Sequence, residues 1–451
     1  MQFRHLPIIA AVVGALPFAV AAQQETPAEL RGHAVLAAKS VVPAPADAPA
    51  DLKISGKYTT QRRVDALETV MGHSADRPTG MALPIQGQPR QGHSGIKMMA
   101  DGTAWILTDN GFGAKANSMD SMLYLNQYRI DWEKGELAPL RTVFLNDPDK
   151  KIPFRIVHED TTQRYLTGSD LDTESFQPIG EHFWIGDEFG PYLIKTDRTG
   201  KVLAFFETQV DGAPVRSPDH FGVASPGGPG QSYTGVNLKR SKGFEGMAAS
   251  PDGRFLYPLL EGPLWDAQAG TWEAREGKTV LRVLEFSVAD EKWTGRSWFY
   301  PLEGKDHAIG DFNMIDAQSG LVIERDNGEG TPDKACASGA KDTRGCFSSL
   351  PSFKRIYKIA FSDENAGQAV RKVAYIDLLK IQDPKGIARK PLTDGVLQFP
   401  FFTIENVDVV DAEHIVVGND NNFPFSSSRE PNRQDDNELV LLRAEQLLNS
   451  R

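Results

Sequence analysis

The sequence predicts an all-β protein with β-propeller architecture. From Ile54 onward, short runs of β-forming residues alternate with Asp-Gly, Pro-Gly and Asn-Gly turns, and helical periodicity is nearly absent. A hairpin unit recurs along this region, and each copy ends in a cluster of acidic or amide side chains. Further strand-like runs follow most copies. About four strands per repeat is the size of a propeller blade.

Each copy of the hairpin unit contains a strand, a turn, a second strand and a polar cluster. In four copies the turn and the cluster lie seven residues apart, as from Gly102 to Asp109. Chance recurrence of common turns in another all-β fold is the alternative. Five copies are visible; we expect six blades, with one built from Gly56–Gly92 and Asp147–Asp170, while five or seven stay open. The copies are Ser94–Gly111, Glu174–Gly190, Glu245–Gly262, Asp311–Gly328 and Glu405–Asn422.

Residues 1–22 have the features of a secretory signal peptide. Arg4 precedes an apolar run from Leu6 to Val20, and small residues follow up to Gln23. The run is too short, and too interrupted by proline, for a comfortable membrane span. We therefore expect export to the periplasm or secretion, with no membrane span after cleavage.

The remaining chain divides into a leader and one domain. Residues 23–53 are Ala/Pro-rich and lack periodicity, which predicts a flexible leader. Residues 54–451 are predicted to form the propeller. Gln61–Val70 is a candidate for the outer strand that completes the last blade beside Glu438–Arg443, and Ala444–Asn449 for a turn of helix.

Charge and cysteine content limit the possible partners. The formal net charge is −11 and the pI is near 5.4, without a basic patch, which argues against nucleic acid. We expect a monomer that acts on a small molecule. Cys336 and Cys346 lie in one polar loop, and in an exported chain a local disulfide is favoured over free thiols or metal ligation.

In a propeller, equivalent ends of the inner strands converge on the central channel. Here those ends carry acidic and amide side chains, whose mutual repulsion a bound cation would relieve. Such oxygen ligands suit Ca²⁺, then Mg²⁺ or Mn²⁺, whereas the scattered histidines argue against zinc. Any single Asp-Asn or Asp-Gly pair has an alternative role as a turn residue. The set is Asp109, Asn110, Glu174, Asp187, Glu188, Glu245, Glu261, Glu324, Asp326, Asn327, Glu405, Asn419, Asp420 and Asn421.

Other candidate residues each have a functional and a structural interpretation. Arg325 is flanked by two acids and could clamp an anionic substrate group, or simply pair with its neighbours. His93 could act as an acid or base, or make a structural hydrogen bond. Tyr192 could line the mouth or pack in the core. The Gly/Pro/Ser-rich insert Val210–Lys242 is a candidate lid, and Ser94 is no convincing nucleophile because its flanks resemble a strand start.

Four motifs together resemble a known family. They are GFEGMAASPDGRFLYPLLEGPL, GDEFGPYLIKTD, LVIERDN and VVGNDNNF, and they are similar to the bacterial phytase-like domain family, "esterase-like activity of phytase". The likeness covers roughly Gly92 to Arg443. It implies a β-propeller, export and a calcium-dependent hydrolase of phosphate or carboxylic esters. The family's usual Asp-Pro-Glu-Gly is here Asp172-Thr173-Glu174-Ser175, which keeps the acids but alters the turn.

The first hypothesis is therefore an exported metal-dependent ester hydrolase. Asp187 or Glu188 would be the general base, His93 a further acid or base, and Arg325 with Tyr192 would bind substrate. The alternatives are a non-catalytic, calcium-stabilised platform for binding in the cell envelope, and a lactonase. The predicted metal ligands are Glu174, Glu245, Glu324, Glu405, Asn419 and Asp420.

Overall fold

The computed structural model describes residues 23–226, 228 and 231–451. This part of the chain contains five units of four antiparallel strands, and a parallel bridge between Val35 and Glu136 joins the last unit to the first in one continuous sheet. Neighbouring innermost strands contact one another in a closed ring, so the sheets radiate as blades. The propeller prediction is confirmed, but the preferred count of six blades is wrong, because five blades complete the ring of the described residues. The predicted signal peptide, residues 1–22, lies outside them.

The blades are numbered in the order of their innermost strands. Blade 1 contains His93–Met98, Thr103–Thr108, Tyr124–Asp131 and Glu136–Phe144. Blade 2 contains Thr173–Ile179, His182–Asp187, Tyr192–Asp197 and Val202–Glu207. Blade 3 contains Phe244–Ala249, Phe255–Leu260, Lys278–Ser287 and Lys292–Pro301. Blade 4 contains Ala308–Met314, Ser319–Arg325, Lys354–Ala360 and Arg371–Asp377. Blade 5 contains Ile404–Val409, His414–Asn419, Asn437–Arg443 and Glu29–Leu36.

Short elements connect or extend the blades. Gln24–Glu25 pairs in parallel with the outer strand of blade 4, and Ala274–Arg275 extends blade 3. Short antiparallel strand pairs also lie outside the blades. They are Val41–Val42 with Gln88–Pro89, Ile54–Ser55 with Ile85–Gln86, Val70–Ser74 with Arg77–Leu83, Gln209–Val210 with Ala213–Pro214, Trp265–Asp266 with Thr271–Trp272, and Ile381–Gln382 with Val396–Leu397. The helical turns are Ala50–Lys53, Pro332–Lys334, Asp363–Asn365 and Glu445–Asn449.

The ring closes through a strand from the beginning of the described chain. Glu29–Leu36 pairs antiparallel with Asn437–Arg443 and is the outer strand of blade 5. Its Leu30 is fully buried in the apolar core between blades 4 and 5. The structure differs here from the predicted flexible leader, and the closing strand is not Gln61–Val70 as the sequence suggested.

Apolar cores fill the seams between neighbouring blades. In the seam between blades 1 and 2, for example, Trp105 meets Phe183 with ring centroids 5.0 Å apart, and Phe176 packs beside them. Comparable clusters lie in the other four seams of the described structure. Because alternate side chains of each strand face opposite seams, every blade is held on both faces.

A polar network crosses the channel and ties the blades together. Asp311 Oδ2 of blade 4 accepts hydrogen bonds from the backbone nitrogens of Ile96 (3.2 Å) and Val407 (3.1 Å), in blades 1 and 5. Asn313 donates to the carbonyl oxygens of the same two residues. It accepts from Gln177 of blade 2 (2.8 Å), which also donates to a backbone carbonyl of blade 3. This network forms the floor of a mouth at one end of the channel.

Two further predictions concern the cysteines and the last residues. Cys336 and Cys346 form the predicted disulfide, with Cα atoms 4.9 Å apart. The short helix Glu445–Asn449 confirms the predicted helical turn. Among the helices of the described residues, none has the length and apolar character needed to cross a bilayer.

Candidate functional site

Eight carboxylates converge at one end of the channel, and we call this group the acidic mouth. They come from the beginnings of innermost strands and the ends of second strands in blades 1, 2, 3 and 5, and they repel one another electrostatically. The expected convergence of inner-strand ends therefore holds for these residues. The members are Asp109, Asp172, Glu174, Glu188, Glu245, Glu261, Glu405 and Asp420.

β-Bulges position three of these side chains. Glu174, Glu245 and Glu405 each lie near the start of an innermost strand, where the register against the second strand shifts by one residue. A bulge leaves its extra residue outside the ladder and redirects its side chain. The same device in blades 2, 3 and 5 therefore points an equivalent glutamate into the mouth.

Burial and mutual repulsion raise the pKa values of these carboxyls. Burial is the larger cause, and it places the pKa of Glu174 and of Glu188 well above the usual range, with neighbouring carboxylates adding to the shift. The same causes raise the pKa of Asp172 to about 7. Burial also raises the pKa of Glu405 to about 7, against the opposing charge of Arg325. When all of these carboxyls are ionised, their mutual repulsion must be offset by positive charge from outside the cluster.

The oxygen positions fit a divalent cation. Within the described chain, Glu188 Oε1 and Asp172 Oδ1 are buried without a hydrogen-bond partner. One oxygen each from Asp172, Glu174 and Glu188 lie within 4.8 Å of one another, and so do oxygens of Glu188, Glu245 and Glu261. Because Ca²⁺–oxygen distances are about 2.3–2.6 Å, ligands on opposite sides of one ion are roughly 5 Å apart. Both groups are therefore compatible with cation binding.

Two cationic side chains border the mouth. Arg325, from the end of the second strand of blade 4, has an Nη2 atom 3.8 Å from Glu405 Oε1. Its Nη1 donates to Asn327, its Nε is buried without a partner in the described structure, and its guanidinium lies 5.2 Å from the ring of Phe402. Lys242 pairs with Glu261. Although burial opposes it, the carboxylate of Glu261 raises the pKa of Lys242.

Asp187 and Glu188 are adjacent but have different surroundings. Asp187 Oδ1 accepts from the backbone nitrogen of Asp172 (2.8 Å) and its Oδ2 from that of Gly190 (2.7 Å). Asp187 therefore fixes the backbone at Asp172, just before the innermost strand of blade 2, and the backbone of the turn that follows Glu188. Glu188 itself faces the mouth. Gly243 packs against its backbone so closely that a Cβ there would be 2.6 Å from the Glu188 Cα.

Glu324 does not join the acidic mouth, which corrects its predicted place among the ligands. Its carboxylate accepts hydrogen bonds from Tyr300 (2.9 Å), from the Glu303 backbone (2.7 Å) and from Lys372 (2.6 Å), and it contacts His307 at 2.8 Å. Although burial opposes it, hydrogen bonds from His307 and Lys372 lower the pKa of Glu324. The residue is an internal ion-pair partner of blade 4.

The amide of Asn419 is also fully engaged. Its Nδ2 donates to the carbonyl oxygens of Asp420 and Asp436, and its Oδ1 accepts from the backbone nitrogen of Glu438. This arrangement ties the second and third strands of blade 5 together. Asp420 differs, since burial and the charges of Asp109 and Glu405 raise its pKa well above the usual range.

His93 and Tyr192 lie in packed interiors outside the acidic mouth. Burial lowers the pKa of His93 to about 3, and its Nε2 is 3.3 Å from the hydroxyl of Tyr128. The Tyr192 hydroxyl accepts from the backbone nitrogen of Phe221 (2.9 Å), and its ring lies 4.5 Å from that of Phe205. His93 Nδ1 is buried without a hydrogen-bond partner in the described structure, and the contact of Tyr192 with Phe221 anchors the insert Val210–Lys242 on blade 2.

Sequence reasoning did not select Asp172, Lys242 or Ser94 as site residues. Asp172 lies two positions before Glu174, and both acids were visible in the altered turn motif Asp172-Thr173-Glu174-Ser175. Lys242 ends the insert, so its sequence context suggested a loop. Ser94 was considered only as a nucleophile, whereas its hydroxyl donates to Glu405 Oε2 at 3.0 Å. No local pattern signals that contact, because the two residues are 311 positions apart.

Replacing Glu324 by glutamine tests its reassignment. We expect a loss of about 2 kcal/mol in the free energy of unfolding, because the buried Lys372 would lose its charged hydrogen-bond partner Glu324 and keep only Glu303. Urea unfolding measures this loss, and calcium titration of the variant should match the parent protein. Glu174→Gln is the matched control: in EDTA it should not destabilise the protein, and it should weaken calcium binding. The reverse pattern would return Glu324 to the site.

Comparison with known proteins bears on this site. The family described as Phytase-like, esterase-like activity of phytase, matches residues 88–423. The chain belongs to this family. The matched region begins just before blade 1 and ends just after Asp420, so it contains every carboxylate of the acidic mouth.

Individual relatives are distant or partial. An uncharacterized secreted protein of Arthroderma benhamiae is 35% identical over 116 residues, which is 24% of this chain and 22% of that protein's length. A calcium-binding protein, regucalcin, from Agrobacterium tumefaciens is 11% identical, with a TM-score of 0.35 over 78% of this chain and 91% of its own. Pseudomonas aeruginosa periplasmic gluconolactonase is 13% identical, with a TM-score of 0.30 over 86% and 98%. Neither solved structure is similar enough to inform the chemistry of the mouth.

Proposed function

We propose that this protein is an exported, divalent-cation-dependent hydrolase of phosphate or carboxylic esters, acting in the acidic mouth. The observation that carries the proposal is that residues of the mouth and its border hold unpartnered buried atoms of both charge signs. Carboxylate oxygens of Glu188 and Asp172 lack donors, and Arg325 Nε lacks an acceptor. Unpaired buried polar atoms are costly, so this arrangement supports a ligand that is part cation and part anion. Membership of the family supports ester chemistry.

The roles follow from the positions of the side chains. Asp172, Glu174, Glu188, Glu245 and Glu261 would supply the carboxylate ligands for cation binding, with Ca²⁺ favoured over Mg²⁺ or Mn²⁺ because Ca²⁺ accepts many protein oxygens whereas Mg²⁺ keeps several waters. When bound, the cation supplies positive charge that polarises a phosphoryl or carbonyl oxygen. Arg325 would hold the anionic part of the substrate through Nε and Nη2.

Glu405 is the carboxylate best placed to accept a proton from the attacking water. One of its oxygens is held by Ser94 at 3.0 Å, and the other faces Arg325 at 3.8 Å, so it borders the anion-binding side of the mouth. Asp187, considered from the sequence, has both oxygens bound to backbone nitrogens. The proposed base is therefore Glu405, and Asp187 is a positioning residue.

Export, substrate size and oligomeric state complete the proposal. The signal-like residues 1–22 and the name of the secreted relative support export to the periplasm or medium. The mouth is floored by the Asp311–Asn313 network and lined by few cations, which supports a small-molecule substrate rather than nucleic acid. We propose that the protein works as a monomer.

An activity assay with controlled metal content tests the function. Protein treated with EDTA and then reloaded with Ca²⁺ is expected to hydrolyse at least one of p-nitrophenyl phosphate, bis-p-nitrophenyl phosphate, phytate and p-nitrophenyl acetate, and a gluconolactone is assayed beside them. The EDTA-treated sample should be inactive. Arg325→Ala is expected to raise the KM for anionic esters about 10-fold or more, the loss of one charge-assisted contact, and to affect neutral p-nitrophenyl acetate less.

Other outcomes would overturn the proposal. If Ca²⁺ raises the melting temperature but no ester or lactone turns over, the protein is a calcium-stabilised binding platform. If only the lactone reacts, it is a lactonase. Equal activity before and after EDTA treatment would exclude the cation-dependent mechanism.

A further inference from the structure

The carboxylates of the acidic mouth form two groups instead of one. Asp172, Glu174 and Glu188 all belong to blade 2, and one oxygen of each lies within 4.8 Å of the other two. Glu188, Glu245 and Glu261 meet the same condition across the seam between blades 2 and 3. We call these the first trio and the second trio. Glu188 is the member they share.

The spacing favours a separate ion for each trio. Ligands of one Ca²⁺ lie within roughly 5 Å of each other, twice the metal–oxygen distance. The five residues satisfy that limit only as two overlapping groups in the described chain. A single ion in either trio would therefore leave the outer carboxylates of the other trio without a cation.

The unpartnered atoms lie where two ions would need ligands. Glu188 is 5% exposed and its Oε1 has no hydrogen-bond partner in the described structure, and Asp172 is 2% exposed with an unpartnered Oδ1. Gly243 fixes the backbone of Glu188 between the two trios, since any larger residue would displace it. A carboxylate held between two groups of acids can give one oxygen to each ion.

We propose that the acidic mouth binds two divalent cations that share Glu188 as a bridging ligand. This rests on the proposed cation-dependent function and adds the number of ions and the ligands of each. The two sites are unequal. Among the described residues, Lys242 pairs with Glu261, which belongs to the second trio alone, and its charge also acts on Glu188, which both trios share. The first trio is therefore the tighter site and the second the weaker.

Calcium binding to the intact, EDTA-treated protein tests the stoichiometry. Isothermal titration at pH 7.5 is expected to show two Ca²⁺ ions per chain with affinities differing at least 10-fold. Glu174→Gln should remove the tight site and leave one ion, and Glu261→Gln should remove the weak site. Glu188→Gln should weaken both. Lys242→Gln should tighten the weak site more than the tight one, a gain that general destabilisation cannot produce. Glu413→Gln, on an exposed turn at the opposite face, is the matched control and should bind two ions.

Manganese supplies a second measurement that does not depend on activity. With two Mn²⁺ ions per chain, electron paramagnetic resonance is expected to show spin coupling, because ions bridged by one carboxylate lie about 3.5–4 Å apart. In Glu188→Gln the coupling should disappear. One ion per chain, an uncoupled spectrum at saturation, or Glu174→Gln and Glu261→Gln removing the same ion would each overturn the two-ion site. One bound ion with ester hydrolysis would leave the proposed function intact, whereas no bound ion would overturn both.

Discussion

Deletion of residues 29–36 is expected to abolish the cooperative unfolding transition of the protein. Without this strand, the edge of Asn437–Arg443 would be exposed, and the seams on both sides of blade 5 would lose buried apolar groups, among them Leu30 and Ala34. An exposed strand edge also promotes aggregation. Circular dichroism during heating and size-exclusion chromatography measure the outcome. A synthetic peptide covering residues 23–40 should restore part of the transition.

A single substitution gives the graded version of this test. Leu30 is fully buried, so Leu30→Ala is expected to cost about 2–5 kcal/mol of unfolding free energy in urea. Leu392→Ala is the matched control, because Leu392 is 42% exposed and its truncation should cost less than about 0.5 kcal/mol. Equal effects of the two substitutions would show that Glu29–Leu36 does not close the ring in solution.

In EDTA, the free energy of unfolding is expected to fall as the pH rises from about 5 to 8. The mouth carboxyls have raised pKa values when folded, so the folded protein binds protons that the unfolded chain has already released. Their stabilising contribution is complete below the unfolded pKa near 4.5 and is lost as the pH passes the folded value. For Glu405, raised by burial to a pKa of about 7, the change is roughly 3 kcal/mol.

Calcium should reverse most of this loss at pH 8 and have little effect at pH 5, where protons compete for the carboxylates. Urea unfolding at the two pH values, with EDTA or with Ca²⁺, measures both effects.

Burial also raises the pKa of Asp311 to about 7, but Asp311 lies in the channel floor. Asp311→Asn should therefore reduce the part of the pH dependence that calcium does not rescue. Stability that increases with pH in EDTA would contradict the expected sign.

The recurrent glutamates show how far the sequence could lead. Glu174, Glu245 and Glu405 recur at equivalent places in the hairpin unit, and the structure gives them the same bulge and the same direction. Repetition in sequence was enough to predict this, because equivalent residues of repeated blades occupy equivalent positions. The blade architecture followed from the same pattern.

Glu324 shows where that reasoning failed. It lies on the second strand of blade 4, opposite Ile309, whereas the three recurrent glutamates lie on innermost strands. The innermost strand of blade 4 carries a longer irregularity between Ile309 and Phe312, which a count of residues from a turn does not reveal. Whether a carboxylate faces the channel or a buried lysine depends on such local register.

The closing strand could not be predicted for a different reason. His33 in this strand contacts Glu438 at 3.1 Å, although the two residues are 405 positions apart. Glu29–Leu36 lies within Ala/Pro-rich sequence without turn-bounded hairpin repeats, so it does not stand out as a strand by itself. The strand is ordered by pairing with the edge of Asn437–Arg443, and no pattern in the local sequence predicts that pairing.

Ring closure also sets the order in which the protein can be completed. Because Glu29–Leu36 pairs with Asn437–Arg443, an early strand must wait for a strand synthesised after all four other blades. Blades 1 to 4 can assemble while the chain emerges, but blade 5 cannot be finished until Asn437–Arg443 has been made. Bringing such distant segments together is entropically slow. The two strands thus form a single joint, and the loss of either one leaves the same blade open.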